Sequence, residues 1–449
     1  MRPSFSSSSP SVRRPRGVLA LLLVAVSASA CAGGAGLRVS PAEIPELESR
    51  LETSPDDGEL RLRYAAALFA AGRCTEAEDQ AEAGAASRPD NGVTPLVQGQ
   101  CHEAAGRLAE AVDVYAGYLN VYPDAEGSAA VRGRRLLAER ALAGVRAREA
   151  LAREADIRAR PADPGVVAVL PAVVLGDGEG RYRALGPALG QMMMSDLALL
   201  ERLRLVERIE LEALLSELER AMAGRLDPTT APRVGRLVRA ESLVQSRLVV
   251  DGGALSLEAA VSRDGGEDAP VETATGSLNQ LLDMQKQLAL ELADRLAGPL
   301  TPAERRAIRD NGPESVTVFL DWAEGLLLEG EGDYAGAATA YRRAAAADPG
   351  FADAARRAAS AASAVQVIGR SPTEVIALGA YASEAASNVS ADAIRRALAS
   401  AAFEVAPLGP EIAVGPPAGP RGALVPGALQ PTPALPIDVV LRILVRIPR

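Results

Sequence analysis

The sequence predicts a mixed fold in which helical hairpins flank a central α/β (α+β) sheet domain. Three observations predict it. Between residues 58 and 123, small residues, glycines and prolines recur 34 positions apart. From 165 to 298 the pattern changes to short apolar runs alternating with amphipathic helices. After 313 the spacing of the early hairpins returns. A chain of 449 residues is long enough for about two or three domains and a substantial core.

The repeat comes first. Ala65, Gly72, Arg73, Glu76, Ala77 and Pro89 recur as Gly99, Gly106, Arg107, Glu110, Ala111 and Pro123. Small residues at 65/99 and 77/111 let the two helices of a unit approach. Gly72 and Gly106 turn the chain, and the prolines stop the second helix. Thirty-four is the period of the tetratricopeptide helix–turn–helix, which these residues resemble. A later copy, within 313–365, carries Gly325, Gly332-Asp333-Tyr334, Ala337, Tyr341, Ala344 and Asp348-Pro349 at the same offsets, with a capping helix over 351–364. The resemblance implies a concave groove lined by the first helix of each unit: Glu59, Leu62, Ala66 and Phe69, then Val93, Leu96, Gln100 and Glu103. These residues serve packing as readily as peptide binding. Cys74 and Cys101 fall on the same side of the stack, so a disulfide between them is geometrically possible.

A charged Ala/Arg-rich helix over 130–160 ends at Pro161–Pro164 and completes the first helical region, 58–160. The middle domain then opens on Val166–Pro171, read as a buried strand, and a Gly-rich loop over 175–184. Helices are expected at 185–200, 209–222 and 229–239, and a strand at 202–207. Further strands are expected at 242–250, 254–262 and 270–276, with Asp251-Gly252-Gly253 and Asp264-Gly265-Gly266 as turns. An amphipathic helix over 279–296 closes the unit.

The run Val167-Ala168-Val169-Leu170-Pro171, then Val206-Glu207-Arg208 with Leu211, Leu214 and Leu215, then Gly235-Arg236-Leu237 and Ala240–Val244, resembles the CsgG-type domain. Related folds occur in the TolB amino-terminal domain, the flagellar lipoprotein FlgO and lipoprotein activators of penicillin-binding proteins. Ala172, Arg239 and Ser246 depart from the family pattern. The resemblance implies a non-catalytic envelope module used for assembly and protein contacts, with no active site to carry over.

Arg2, Arg13, Arg14 and Arg16 precede an apolar run, Gly17–Val26, and then Ser27-Ala28-Ser29-Ala30 and Cys31. A basic region, a short apolar region and a small-residue cut site read as a secretory signal over 1–30. The run falls short of the ~20 residues that span a bilayer. Cys31 after small residues resembles the bacterial lipobox, which implies a diacylglyceryl, palmitate-type anchor on Cys31 and a lipidated linker over 31–57. An ordinary signal cut nearby is the alternative. No Asp follows Cys31 at the next positions, so the expected location is the outer membrane, facing the periplasm.

Composition excludes several functions. The formal charge is −10, and no stretch clusters Lys and Arg as nucleic-acid binding requires. A single histidine, His102, closes off most triad and multi-histidine metal chemistry. Gly176-Asp177-Gly178-Glu179-Gly180 places acids where a phosphate loop needs donors. Met192-Met193-Met194 reads as core, and the acid pairs Glu207/Glu210 and Glu217/Glu219 read as solvated helix faces. We therefore expect no catalytic residues, no metal and no cofactor.

The tail reads as a helical segment over 371–404, a Pro/Gly-rich linker over 405–436 and an alternating strand, Ile437–Ile447. The expected function is that of an envelope-tethered, non-catalytic scaffold or assembly factor. Its expected partners are other envelope proteins, the membrane through the lipid and further copies of itself. A secretion-channel subunit and a lipoprotein activator of cell-wall synthesis are the alternatives.

Overall fold

Secondary-structure breaks and apolar periodicity organise the chain into one helical array with a sheet domain set into it. The computed structural model describes residues 40–176, 180–221, 230–263, 269–270 and 273–380. Cys31, the 405–436 linker and the 437–447 strand lie outside the described residues, as do Asp177–Glu179 of the Gly-rich loop.

Ser40 caps a short turn, Pro41–Glu43, by a reciprocal hydrogen-bond pair with Glu43, and α1 (Ile44–Thr53) follows. The expected linker 31–57 thus contains a helix, because Leu47 is apolar enough to bury at 2% exposure against α2. Next come α2 (Gly58–Ala70) and α3 (Cys74–Ala85), then α4 (Val93–Ala104) and α5 (Leu108–Val121). Asp57 starts α2 by accepting from Leu60 N at 3.0 Å. Gly72 and Gly106 both turn the chain at φ +75°, a left-handed conformation that favours glycine, so the two hairpins share one turn geometry.

The charged helix expected over 130–160 is two helices, α6 (Ser128–Ala152) and α7 (Glu154–Arg158). The sheet domain then comprises β1 (Asp163–Val169), β2 (Val173–Leu175), α8 (Leu185–Leu197), β3 (Arg204–Leu205), α9 (Arg208–Ala221), α10 (Thr230–Leu237), β4 (Ala240–Asp251), β5 (Ala254–Arg263), β6 (Ala269–Pro270), β7 (Ala274–Gly276) and α11 (Leu281–Ala297). The strand order is β3-β1-β4-β5-β6, with β2 also on β4 and β7 also on β5. β1 runs parallel to β3 and β4, as β-α-β crossovers require. β4 and β5 form an antiparallel hairpin in register from Ser242↔Arg263 to Asp251↔Ala254.

After α12 (Pro302–Asp310), which the pattern did not predict, come α13 (Val316–Glu331), α14 (Tyr334–Ala347), α15 (Ala352–Val367) and α16 (Pro372–Ala380). Thr301 and Glu304 form a capping box that starts α12. The helices flanking the sheet in sequence are neighbours in space. α5 packs on α6, α6 on α15, α15 on α14 and α14 on α13. The sheet domain leaves this array after α6 and returns before α13. It rests on the array through α9 against α6 and α8 against α13.

Two apolar cores result. One joins the sheet domain to the C-terminal helices, including Leu170, Met192, Met193, Phe319, Trp322 and Tyr341. The methionine run is core, as expected. Burying each such large side chain contributes about 1.5–3 kcal/mol. Trp322 lies between Phe319 and Phe351 and donates to Asp353 Oδ2 at 2.9 Å. The second core joins the N-terminal hairpins to Val367, Val375 and Ile376 from the far end of the described chain.

Candidate functional site

The first helix of a hairpin can approach the second only where its own side chain is absent. At Gly99 an added Cβ would stand 2.2 Å from the Tyr115 ring, and at Gly325 it would stand 2.5 Å from the Tyr341 ring. One helical turn after each glycine stands a glutamate. Tyr115 donates its hydroxyl to Glu103 Oε1 at 2.7 Å, and Tyr341 donates to Glu329 Oε2 at 2.6 Å. Burial and the facing carboxylate push both phenols up from their ordinary range. The following helix supplies an arginine each time: Arg134 of α6 to Glu103, and Arg357 of α15 to Glu329. Sequence reasoning placed Glu103 in a groove and missed the rest. The signal was present, because Gly, Glu and Tyr stand at equal offsets in 99/103/115 and 325/329/341.

The second constellation is larger. Arg208 Nη2 of α9 reaches Glu329 Oε1 at 2.7 Å, and Arg140 Nη2 of α6 reaches it at 3.2 Å. The Arg140 guanidinium also lies over the Tyr334 ring, 5.5 Å from its centroid. Burial alone would raise the Glu329 carboxyl. Arg208, Arg357, the Tyr341 hydroxyl and Arg140 instead hold it at about 2. One carboxylate therefore ties together α6, α13, α15 and the first helical turn of α9 in the sheet domain.

A second buried carboxylate, Asp196 of α8, accepts from Gln285 Nε2 at 2.8 Å, from the chain's only lysine, Lys286, at 2.5 Å, and from Asn311 Nδ2 at 2.8 Å. Burial pushes this carboxyl up against the opposing pull of Lys286. It pins α8 to α11 and to the end of α12, in the interior of the fold.

Beside the Glu329 cluster, α6, α9 and α13 line most of an open cleft of about 270 Å³. Its walls are mostly apolar, with Pro171, Pro187, Ile209 and Leu326. Arg148 and Arg220 reach Glu217 there at 2.9 and 3.1 Å. Glu217 is therefore no solvated surface residue, contrary to the periodicity reading. At 7% exposure it needs both arginines to offset its burial. Its neighbour Glu219 is held above its ordinary carboxylate range by burial. Glu210 is paired with Arg146 at 2.8 Å, and Glu207 stands on the short connection before α9.

The expected open groove on α2 and α4 is filled. α16 lies across α2, α4 and α6. Leu62, Ala66, Val93 and Leu96 are all at 3% exposure or less and share a core with Val375 and Ile376, and Gln100 is buried to the same degree. Gly379 seats against Leu96 and the backbone of Gly92, where an added Cβ would meet Leu96 at 2.7 Å. Phe69 is half-buried at the edge of that core, Glu59 faces solvent with Arg88 at 3.7 Å, and Glu103 belongs to the first constellation. Sequence pattern could not place α16 there, because its first helix partners are some 280 residues earlier.

The sulfurs of Cys74 and Cys101 are bonded, joining α3 to α4 across a sequence separation of 27. Among the described residues no group of histidine, cysteine and carboxylate side chains could hold a metal ion, and no helix is long and apolar enough to cross a membrane.

Comparison with known proteins bears on the sheet domain. Residues 180–268 match the family model described as curli production assembly/transport component CsgG. A CsgG-like domain is thus present, and the matched stretch includes α8 to the end of β5. No curated protein matches the chain. Among solved structures, a similar chain comes from the structure of Naa15/Naa10 bound to HypK-THB. It is 14% identical with a TM-score of 0.19, and the match covers 71% of this chain and 36% of that one. This chain spans about a third of that chain's length, and so slight a likeness carries no argument.

Proposed function

We propose that the protein is an envelope-tethered, non-catalytic scaffold or assembly factor that works through protein–protein contacts. In this reading Cys31 carries the lipid, the outer membrane holds the anchor, and the body faces the periplasm. The paired hairpins are tetratricopeptide units. The CsgG-like domain is the module that engages other envelope proteins or further copies of the chain.

The observation that carries the reading is the Glu329 cluster. It fastens the CsgG-like domain to a helical array, which suits a rigid presenting surface better than a catalytic cleft. Among the described residues, the buried carboxylates Glu329, Asp196 and Glu217 are paired with basic side chains, and Asp348 accepts from backbone N–H groups. The matched family's description as an assembly and transport component supports an envelope role.

The test is crosslinking in the envelope fraction followed by mass spectrometry, alongside palmitate labelling of wild type and C31S. The expected result is a reproducible set of envelope proteins, with label and membrane sedimentation both lost in C31S. Rings in detergent with conductance in lipid bilayers would replace this proposal by a channel subunit. Selective capture of penicillin-binding proteins would narrow it to activation of cell-wall synthesis.

A further inference from the structure

In a chain with 58 acidic and 48 basic residues, a concave surface rimmed mainly by arginine is a departure that needs a cause. One such groove, of about 420 Å³, runs where the N-terminal hairpins meet the C-terminal helices. The end of α5 forms one wall, α6 the floor and α15 the other wall. Leu119, Pro123 and Leu136 make its apolar base. Arg132 and Arg135 rise from α6, Arg356 faces them from α15, and Glu139 is the one lining carboxylate.

These arginines are held in place without being saturated. Arg132 donates to the Pro123 carbonyl at 2.6 Å, Arg135 to Glu139 at 2.7 Å, and Arg356 to Asp353 at 2.9 Å. Each guanidinium carries five N–H donors in a planar fork, so donors remain for an incoming carboxylate. The pairing rivals are weak. Arg135–Glu139 is a partly exposed i,i+4 pair within one helix, and Arg356 is 75% exposed. Asp353 is already shared with Arg357 and Trp322.

We propose that this groove docks an acidic, amphipathic protein segment, with its apolar residues on Leu119, Pro123 and Leu136 and its carboxylates on Arg132, Arg135 and Arg356. The surface is a half-open valley between α5, α6 and α15, and its apolar base between the arginines suits an amphipathic peptide; an anionic lipid surface would call for a flat or convex basic face. The inference rests on the scaffold reading, since it names the kind of partner the array presents itself to. Its failure would leave the envelope crosslinks and Cys31 labelling untouched, so the two can be told apart.

The test is fluorescence anisotropy of the full-length protein with a fluorescein-labelled helical peptide of leucines flanked by glutamates. The expected result is binding that weakens as salt rises. Replacing all three arginines (R132Q/R135Q/R356Q) should weaken it about tenfold or more, as loss of several exposed charge contacts predicts. Thermal unfolding reports that the variant folds. R158Q/R295Q/R342Q, which removes as many arginines elsewhere, should bind like wild type. The proposal is overturned by absence of binding at low salt, by unchanged binding in the groove variant, or by an equal loss in the control. Groove-dependent capture of phosphatidylglycerol vesicles without peptide binding would overturn it in favour of a lipid surface.

Discussion

Glu103 and Glu329 stand at the same place in two hairpins far apart in the chain, and the difference between their surroundings separates the two ends of the molecule. Both accept a tyrosine hydroxyl and an arginine from the next helix. Glu103 stops there, at 14% side-chain exposure, and its hairpins are stapled instead by Cys74–Cys101. Glu329, at 8%, gains Arg140 and Arg208 from outside its own repeat. The same local device thus closes a hairpin at one end and fastens an inserted domain at the other. A repeat acquires a tertiary role when foreign cations reach a carboxylate that its own unit already buries.

The largest effect should come from E329Q, which leaves Arg208, Arg357 and Arg140 converging on a neutral side chain. Removing one partner of a buried charge cluster costs about 3–5 kcal/mol. Denaturant unfolding should show this loss, and proteolysis should show the sheet domain loosened from the array. If E329Q were as stable as wild type, the fastening role would be wrong. Next in size is the N-terminal staple. Reducing Cys74–Cys101, or the C74S/C101S variant, removes a loop constraint worth about 3–4 kcal/mol in the chain-entropy model. Hydrogen exchange should then quicken in α3 and α4 while α13–α15 keep their protection; uniform loosening would mean that the two ends are not fastened separately.

Acid sharpens the comparison. The Glu329 carboxyl is lowered in the fold from an ordinary value of 4.5 to about 2. Its stabilisation is therefore full above about pH 4.5 and disappears as pH falls towards 2, a loss of about 3 kcal/mol. Unfolding midpoints across that window should fall steeply in wild type and less steeply in E329Q. Parallel curves would contradict the assignment. The smallest effect is expected of E103Q, about 1–2 kcal/mol, because a single arginine faces it where three face Glu329. A cost equal to that of E329Q would erase the distinction between the two sites.

Much of this is legible in the sequence. The hairpin turns at Gly72 and Gly106, the β4–β5 hairpin around Gly252-Gly253 and the buried methionine run follow from short-range rules of turn chemistry and periodicity. The boundaries of β1, α8 and α9 fall within a few residues of their expected positions. The misses have different origins. α12 is short and anchored by the single buried Ile308, whereas α1 does carry helical spacing in Ile44, Leu47 and Leu51, all packed on the second core. Glu217 reads as surface on its own helix because Arg148, its partner at 2.9 Å, belongs to α6.

By itself, the sequence determined most of the elements: which long segments are helix or strand, where the hairpins turn, and that a sheet domain interrupts a repeat. Those outcomes depend on contacts a few residues apart, which a linear pattern records. Only the tertiary structure decided that the flanking hairpins meet through α6 and α15, that α16 fills the groove on α2 and α4, and that Glu329 gathers three arginines. Each of these depends on residues separated by tens to hundreds of positions, whose meeting is fixed by burial of shared apolar surface and by neutralisation of the charges carried inside with it.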